Sequence, residues 1–295
     1  MEGGVPGGAR ELRILVFADL HLDRAYPWAT REVGAAQRAA QEITFEAICA
    51  IASAEADLLV SAGDLYDFDR HHPDTGELLR GGFERLAPMP VLLLPGETDP
   101  ADRVSLYEQV RWSPNVHVIR EAELVEPVLG LTVWAAPFGT EADMPAANPG
   151  EIRLALLRWP APGLVAELEG RTDVSHIVVA GGHSPAQAAR TVAPGAAHPV
   201  EPEDPAGGIV LLTVAPDGTV HASLRELGSR PPQLPQHRFA TSDLEGMDLA
   251  VVGEEQTVRG EFVRNLLAPD EDPVHLRRLA LLAGMRALEG RPPRR

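Results

Sequence analysis

Asp19-Leu20-His21, Gly63-Asp64, Gly96-Glu97-Thr98-Asp99 and Gly182-His183 each follow directly on an apolar run. Carboxylates and imidazoles are the donors that divalent cations such as manganese, iron and zinc accept. Two such ions about 3.5–4 Å apart acidify a bridging water and clamp the oxygens of a phosphoryl group. The chemistry this donor set points to is hydrolysis of a phosphate ester. Singly the four are weak signals, since Asp-x-His is common and a Gly-Asp after a strand is often only a turn. Their order and their uniform placement make the joint signal.

That placement implies the elements behind it. The apolar runs 12–18, 57–62, 91–95 and 176–181 read as buried strands, so the donors emerge at strand carboxyl ends, where open α/β sheets bind ligands. After the first strand, Ala36, Ala39, Ala40, Ile43, Ala47 and Ile51 share a helical face. A second helix is expected over 76–86, and three strand-helix units in series predict a largely parallel sheet. Short extended pieces follow at 116–119 and 131–135, with a helical pattern near 151–158. The runs 208–214 and 219–227 flank Ala215-Pro216-Asp217-Gly218, which predicts a β-hairpin within a second, more antiparallel sheet. We expect a disordered segment over 1–10, a main domain over 11–228, a proline-rich linker over 229–240 and a small helical cap over 241–295, with helices near 255–267 and 273–288.

The chain has 295 residues, with 26 Lys and Arg against 43 Asp and Glu and a formal net charge of −17. This argues against broad nonspecific affinity for nucleic acid or anionic membranes, so a polyanionic substrate would have to be recruited locally, as a cation among clustered carboxylates would do. Cys49 is the single cysteine. An intramolecular disulfide and a thiolate metal site are therefore excluded, and a core role is expected. No stretch approaches the roughly 20 apolar residues that span a bilayer, and no apolar signal segment opens the chain, so a cytoplasmic protein is expected. His71 and His72 are expected in an exposed loop, Trp112, Trp134 and Trp159 in the core, and Arg291, Arg294 and Arg295 in solvent.

In order and spacing the motifs resemble those of the calcineurin-like metallophosphoesterases, and within them the bacterial DNA repair exonuclease group related to the nuclease subunit of SbcCD complexes. That family carries Asp-x-His, Gly-Asp, Gly-Asn-His-Asp, a lone His and Gly-His-x-His. Phe17-Ala18-Asp19-Leu20-His21 and Ser61-Ala62-Gly63-Asp64-Leu65-Tyr66-Asp67 keep the first two. Glu203-Asp204-Pro205-Ala206-Gly207-Gly208 and the stretch 262–290 resemble later parts of the group. The resemblance implies a four-layer α/β/β/α sandwich with a small C-terminal cap, manganese or another divalent metal, DNA as substrate, a coiled-coil ATPase of the SbcC kind as partner, and homodimerisation.

Carried over by position, Asp19 and His21 would hold a first metal, Asp64 would bridge, and Glu97 and His183 would serve the second. The departures are equally specific. Thr98 replaces the family's acid His, with Asp99 as a supporting residue. Thr cannot protonate a leaving group at a useful pKa. Pro185 replaces the second His of Gly-His-x-His. The lone His finds its counterpart in Arg158, at the end of Leu154-Ala155-Leu156-Leu157, where a permanently charged guanidinium could pair with Glu97 or Asp64 in place of a cation. The surviving donors allow one ion rather than two. The expectation is a phosphodiesterase-type subunit of a DNA-processing complex with weak or lost activity. The alternatives are a non-catalytic scaffold beside an ATPase, and a phosphatase for a small phosphoester.

Overall fold

The computed structural model describes residues 10–27, 29–139 and 143–229. Residues 10–24 and 38–229 belong to one compact unit, whereas 25–37 belong to another and contribute the first residues of helix α1 (Arg31–Glu55). The first sheet is built on β1 (Leu12–Phe17), β2 (Leu58–Ala62), β3 (Val91–Leu94) and β4 (Val116–Val118), paired in parallel in that order. β11 (Gly208–Val214) and β12 (Val220–Glu226) extend it antiparallel beyond β1. The second sheet runs β5 (Glu123–Val128), β6 (Leu131–Ala136), β7 (Ile152–Arg158), β8 (His176–Ala180), β10 (Thr191–Ala193), β9 (Ala186–Gln187). Its four inner strands, from β6 to β10, are parallel.

The two sheets stack on one apolar layer. Ile14, Val16, Leu58, Val60, Leu92 and Leu94 from the first meet Val133, Leu154, Leu156 and Val178 from the second. The outer face of the first sheet, including Leu15, Phe17, Leu59 and Leu93, is covered by Phe45, Ile48, Cys49 and Ala52 of α1 and by Leu79 and Phe83 of α2 (Thr75–Glu84). The outer face of the second, with Trp134, Ala155, Leu157 and Ile177, is covered by Leu168 of α4 (Leu164–Gly170). This is the expected α/β/β/α layering. A short α3 (Leu106–Gln109) follows β3.

Several expectations need correction. The buried face of α1 is Gln41, Thr44, Phe45, Ile48, Cys49 and Ala52, and Ile43 is exposed. Two polar residues disguised that face: Gln41 Nε2 donates to the carbonyls of Leu20 and His21, and Thr44 Oγ1 bonds the Ala40 carbonyl. The pattern at 151–158 is strand β7, not helix. Its leucines and alanine are good helix formers, yet parallel neighbours on both edges and apolar layers on both faces override that propensity. The hairpin β11–β12 forms as expected but joins the first sheet, because β11 takes the open edge of β1. Residues 1–9, the linker from 230 onward and the helices expected near 255–267 and 273–288 lie outside the described residues. Arg10 is described and pairs with Asp57. Among the described residues no helix is long and apolar enough to cross a membrane.

Two features of this packing can be tested by stability. A methyl group on Gly82 would lie 2.5 Å from the ring of Phe45, so Gly82→Ala is expected to cost about 1–3 kcal/mol through overpacking, read as a lowered denaturation midpoint. His198 is buried, and that burial pushes its pKa down from 6.5 to about 4. The unfolded imidazole takes up a proton near its ordinary value while the folded one resists it. Stability is therefore expected to be complete above about pH 6.5 and to fall as pH drops through about 4. Replacing His198 by Gln should flatten that limb of a stability-against-pH curve.

Candidate metal centre

The loops that follow β1 and β2 are laced together through their backbones. The amides of Asp19, His21 and Leu22 donate to the carbonyls of Gly63, Asp64 and Leu65, and the amide of Asp67 returns to Leu22. This requires tight reversals at the strand ends, and Asp19, His21 and Asp64 all sit at left-handed φ of 50 or 51°. Residues other than glycine held there store strain that the surrounding structure must offset. Asp99 does much of that holding: it is fully buried and accepts from the amides of Gly96, Asp64 and Leu65 and from the hydroxyl of Tyr107. Burial, with the charge of Asp64 beside it, pushes its pKa up to about 7 against those hydrogen bonds.

The side chains of three loops then converge. His21 Nδ1 bonds Asp67 Oδ1 at 2.9 Å, which turns Nε2 toward Asp19 Oδ1 at 3.8 Å and Asp64 Oδ2 at 3.7 Å. That Nε2 is buried and makes no hydrogen bond. His183 Nδ1 bonds Asp204 Oδ1 at 2.9 Å, and Asp204 is itself held by the amides of Val200 and Glu201. The hydrogen bond to Asp204 pulls the His183 pKa upward. A carboxylate on one ring nitrogen fixes the other as a ligand, the usual support of a metal-binding histidine.

Into the centre of this cluster comes Arg158 from the end of β7. It donates to both oxygens of Asp19, at 2.8 and 3.1 Å, and to Asp64 Oδ2. Only a glycine at position 63 admits it, since a Cβ there would lie 2.7 Å from Arg158 Cδ. Burial disfavours the charged guanidinium, but the hydrogen bonds and charge of Asp19, with Asp64 beyond, raise its pKa.

Of the residues expected at this site, Asp19, His21, Asp64, His183 and Arg158 come together. Glu97 does not: its side chain is exposed, and Arg158 pairs with Asp19 and Asp64 instead of with Glu97. His183 groups with Asp19 and His21, their ligand atoms all within 4.8 Å of one another, rather than with the second-metal set of Asp64 and Glu97. Thr98, expected in place of the family's acid His, lies beside Asp64 and His21. Its amide donates to Asp64 Oδ1, and its hydroxyl lies 3.4 Å from His21 Nδ1. His71 bonds the Phe68 carbonyl and faces Tyr66, further along the loop that carries Asp64 and Asp67. Trp159, expected in the core, is 52% exposed. Sequence reading missed Gln41, Asp67, Tyr107 and Asp204 as the groups that orient the site. The signal for Asp67 was its place three residues after Asp64, within the same motif.

The guanidinium spans Asp19 and Asp64, the carboxylates expected to hold and to bridge metal ions. Among the described residues, Asp19, His21 and His183 form a group that could hold a cation, with the orphaned His21 Nε2 aimed at the carboxylates. Removing the arginine is the direct probe. Arg158→Ala leaves two buried carboxylates without their cationic partner and is expected to cost about 3–5 kcal/mol in metal-free buffer. Added manganese should return more of that stability to the variant than to the parent, measured by chemical denaturation with and without the ion.

Residues 12–203 match the family model described as calcineurin-like phosphoesterase. Among solved structures, similarity extends to an archaeal phosphodiesterase, at 8% identity and a TM-score of 0.43 over 72% of this chain and 100% of that one. It extends also to the purple acid phosphatase PPD1 of yellow lupin, at 14% identity and 0.44 over 75% of this chain and 52% of that one. A third is the calcineurin-like phosphoesterase YfkN of Bacillus subtilis, at 10% identity and 0.41 over 73% and 90%. Comparison with curated proteins finds no match. The match of the family model over most of the chain, on a fold of two stacked sheets with the donors at their carboxyl ends, makes this chain a member of the calcineurin-like phosphoesterases.

Proposed function

We propose that the chain binds phosphodiesters and hydrolyses them slowly at a centre made of one divalent cation and one guanidinium, as a subunit of a DNA-processing assembly. The observation that carries this reading is the position of Arg158, bonded to Asp19 and Asp64 while His21 Nε2 faces the same two carboxylates. A bound cation supplies Lewis acidity to a phosphoryl oxygen and lowers the pKa of a coordinated water. Asp19, His21 and His183 would hold it. Arg158 supplies a fixed positive charge that needs no loading, with its donors bonded to Asp19 and Asp64. Thr98 offers no proton at a useful pKa, which removes a factor of roughly 10²–10⁴ in rate. The DNA substrate, the coiled-coil ATPase partner and a homodimer rest on the likeness of the motifs to the exonuclease group. Manganese rests on the mixed carboxylate and imidazole donors.

A second reading is a non-catalytic scaffold subunit. It draws on the same arginine and on Thr98 and Pro185, which remove an acid and a ligand. Calorimetric titration with manganese and an exonuclease assay on end-labelled DNA separate the two. The expected result is one ion per chain and slow turnover that Asp19→Asn abolishes. Two bound ions with turnover like that of an intact relative would overturn the mixed centre. No ion and no turnover would leave the scaffold.

A further inference from the structure

The carboxylate cluster reaches solvent at His183, whose side chain is 32% exposed while Asp19 and His21 are buried. Arg158 is buried as well and bonded to Asp19 and Asp64, so it is not placed to meet an anion at that opening. Another guanidinium is. Arg24 closes the turn after His21, its amide donating to the His21 carbonyl, and Glu201 belongs to the turn in which Asp204 holds His183. Arg24 Nη2 donates to Glu201 Oε1 at 2.9 Å. This ion pair therefore joins the two turns that carry His21 and the support of His183, whose rings lie 6.1 Å apart edge to face. The hydrogen bond to Asp204 raises the His183 pKa, and the charge of Arg24 acts on the same ring in the opposite sense, which puts the guanidinium within electrostatic reach of it.

We propose that Arg24 is the residue that takes a phosphate anion at the mouth of the site, and that Glu201 is an exchangeable stand-in holding the guanidinium until the anion arrives; this rests on the reading of the centre as a phosphoester site. Three observations select Arg24. Its guanidinium gives one hydrogen bond among the described residues, to Glu201, although the group carries five N–H donors. The side chains of the pair are 24% and 41% exposed, and ion pairs at such positions contribute little, so exchanging the partner costs little. A carboxylate and a phosphate offer a guanidinium the same forked acceptor, so the seat that Glu201 occupies is one that a phosphate fits. In a chain of formal net charge −17, an anion needs such a local positive group to approach at all. Arg24 would thus set the affinity for the anion, and Glu201 would lower it.

The test is calorimetric titration of the full chain with inorganic phosphate, with and without manganese. Arg24→Gln is expected to weaken phosphate binding about tenfold or more, as loss of a charge-assisted contact does, and Arg24→Lys should keep part of it. Glu201→Gln should tighten binding about twofold to fivefold. In the double variant that gain should vanish, because the residue it releases is gone. Affinity unmoved by Arg24→Gln, or still raised by Glu201→Gln when Arg24 is absent, would overturn the proposal. Affinity lowered alike by both single variants would overturn it too and make the pair a structural clasp. Phosphate that binds the Glu201→Gln variant but not the parent upholds the proposal, and phosphate that binds neither overturns it. Dependence on Arg24 with indifference to manganese and to Asp19→Asn would sink the reading of the metal centre and leave the anion site standing. The reverse pattern would sink the anion site alone.

Discussion

One guanidinium holds the centre of this molecule together. Arg158 is 2% exposed and sits between Asp19 and Asp64, which belong to the loops after β1 and β2, while it comes itself from the far sheet. Taking three charges out of water is expensive, and a buried ion pair is often no more stabilising than apolar packing would be. What the arrangement secures is position. Both oxygens of Asp19 and one of Asp64 are fixed by a planar fork, and the two sheets are tied at the end where the chemistry would occur.

The surrounding loops are shaped for that convergence. Left-handed turns at Asp19, His21 and Asp64 point the side chains inward, and glycines at 63 and 96 leave room where a methyl group would strike Arg158 or Asp64. Asp99 lies beneath, gathering three amides and a phenol, so that the second and third loops move as one piece. Asp67 and Asp204 each orient one histidine. These are the supports that metal-binding histidines usually have, and here they surround carboxylates bonded to Arg158.

In a chain of formal net charge −17, the arginine also has an electrostatic consequence. It gives the centre a permanent positive charge among carboxylates that would otherwise repel a phosphate. A cation held by Asp19, His21 and His183 would add to that field at its side.

The sequence by itself determined strands β1, β2, β3 and β8, the order of the donors and their place at strand ends, because buried parallel strands read as unbroken apolar runs and the loops after them stand out as polar. The family resemblance put Arg158 beside Glu97 or Asp64; it pairs with Asp64 and with Asp19, and not with Glu97. The sequence did not determine which face of α1 is buried, since Gln41 and Thr44 turn inward to hold backbone carbonyls and so break the apolar period. Nor did it make residues 152–158 a strand, where leucine and alanine favour helix until neighbours close on both edges. Only the tertiary structure decided that His183 joins Asp19 and His21, that Glu97 points to solvent, and that Asp67 and Asp204 steady the rings. Each depends on loops distant in the chain meeting within a few ångströms, which local pattern does not encode.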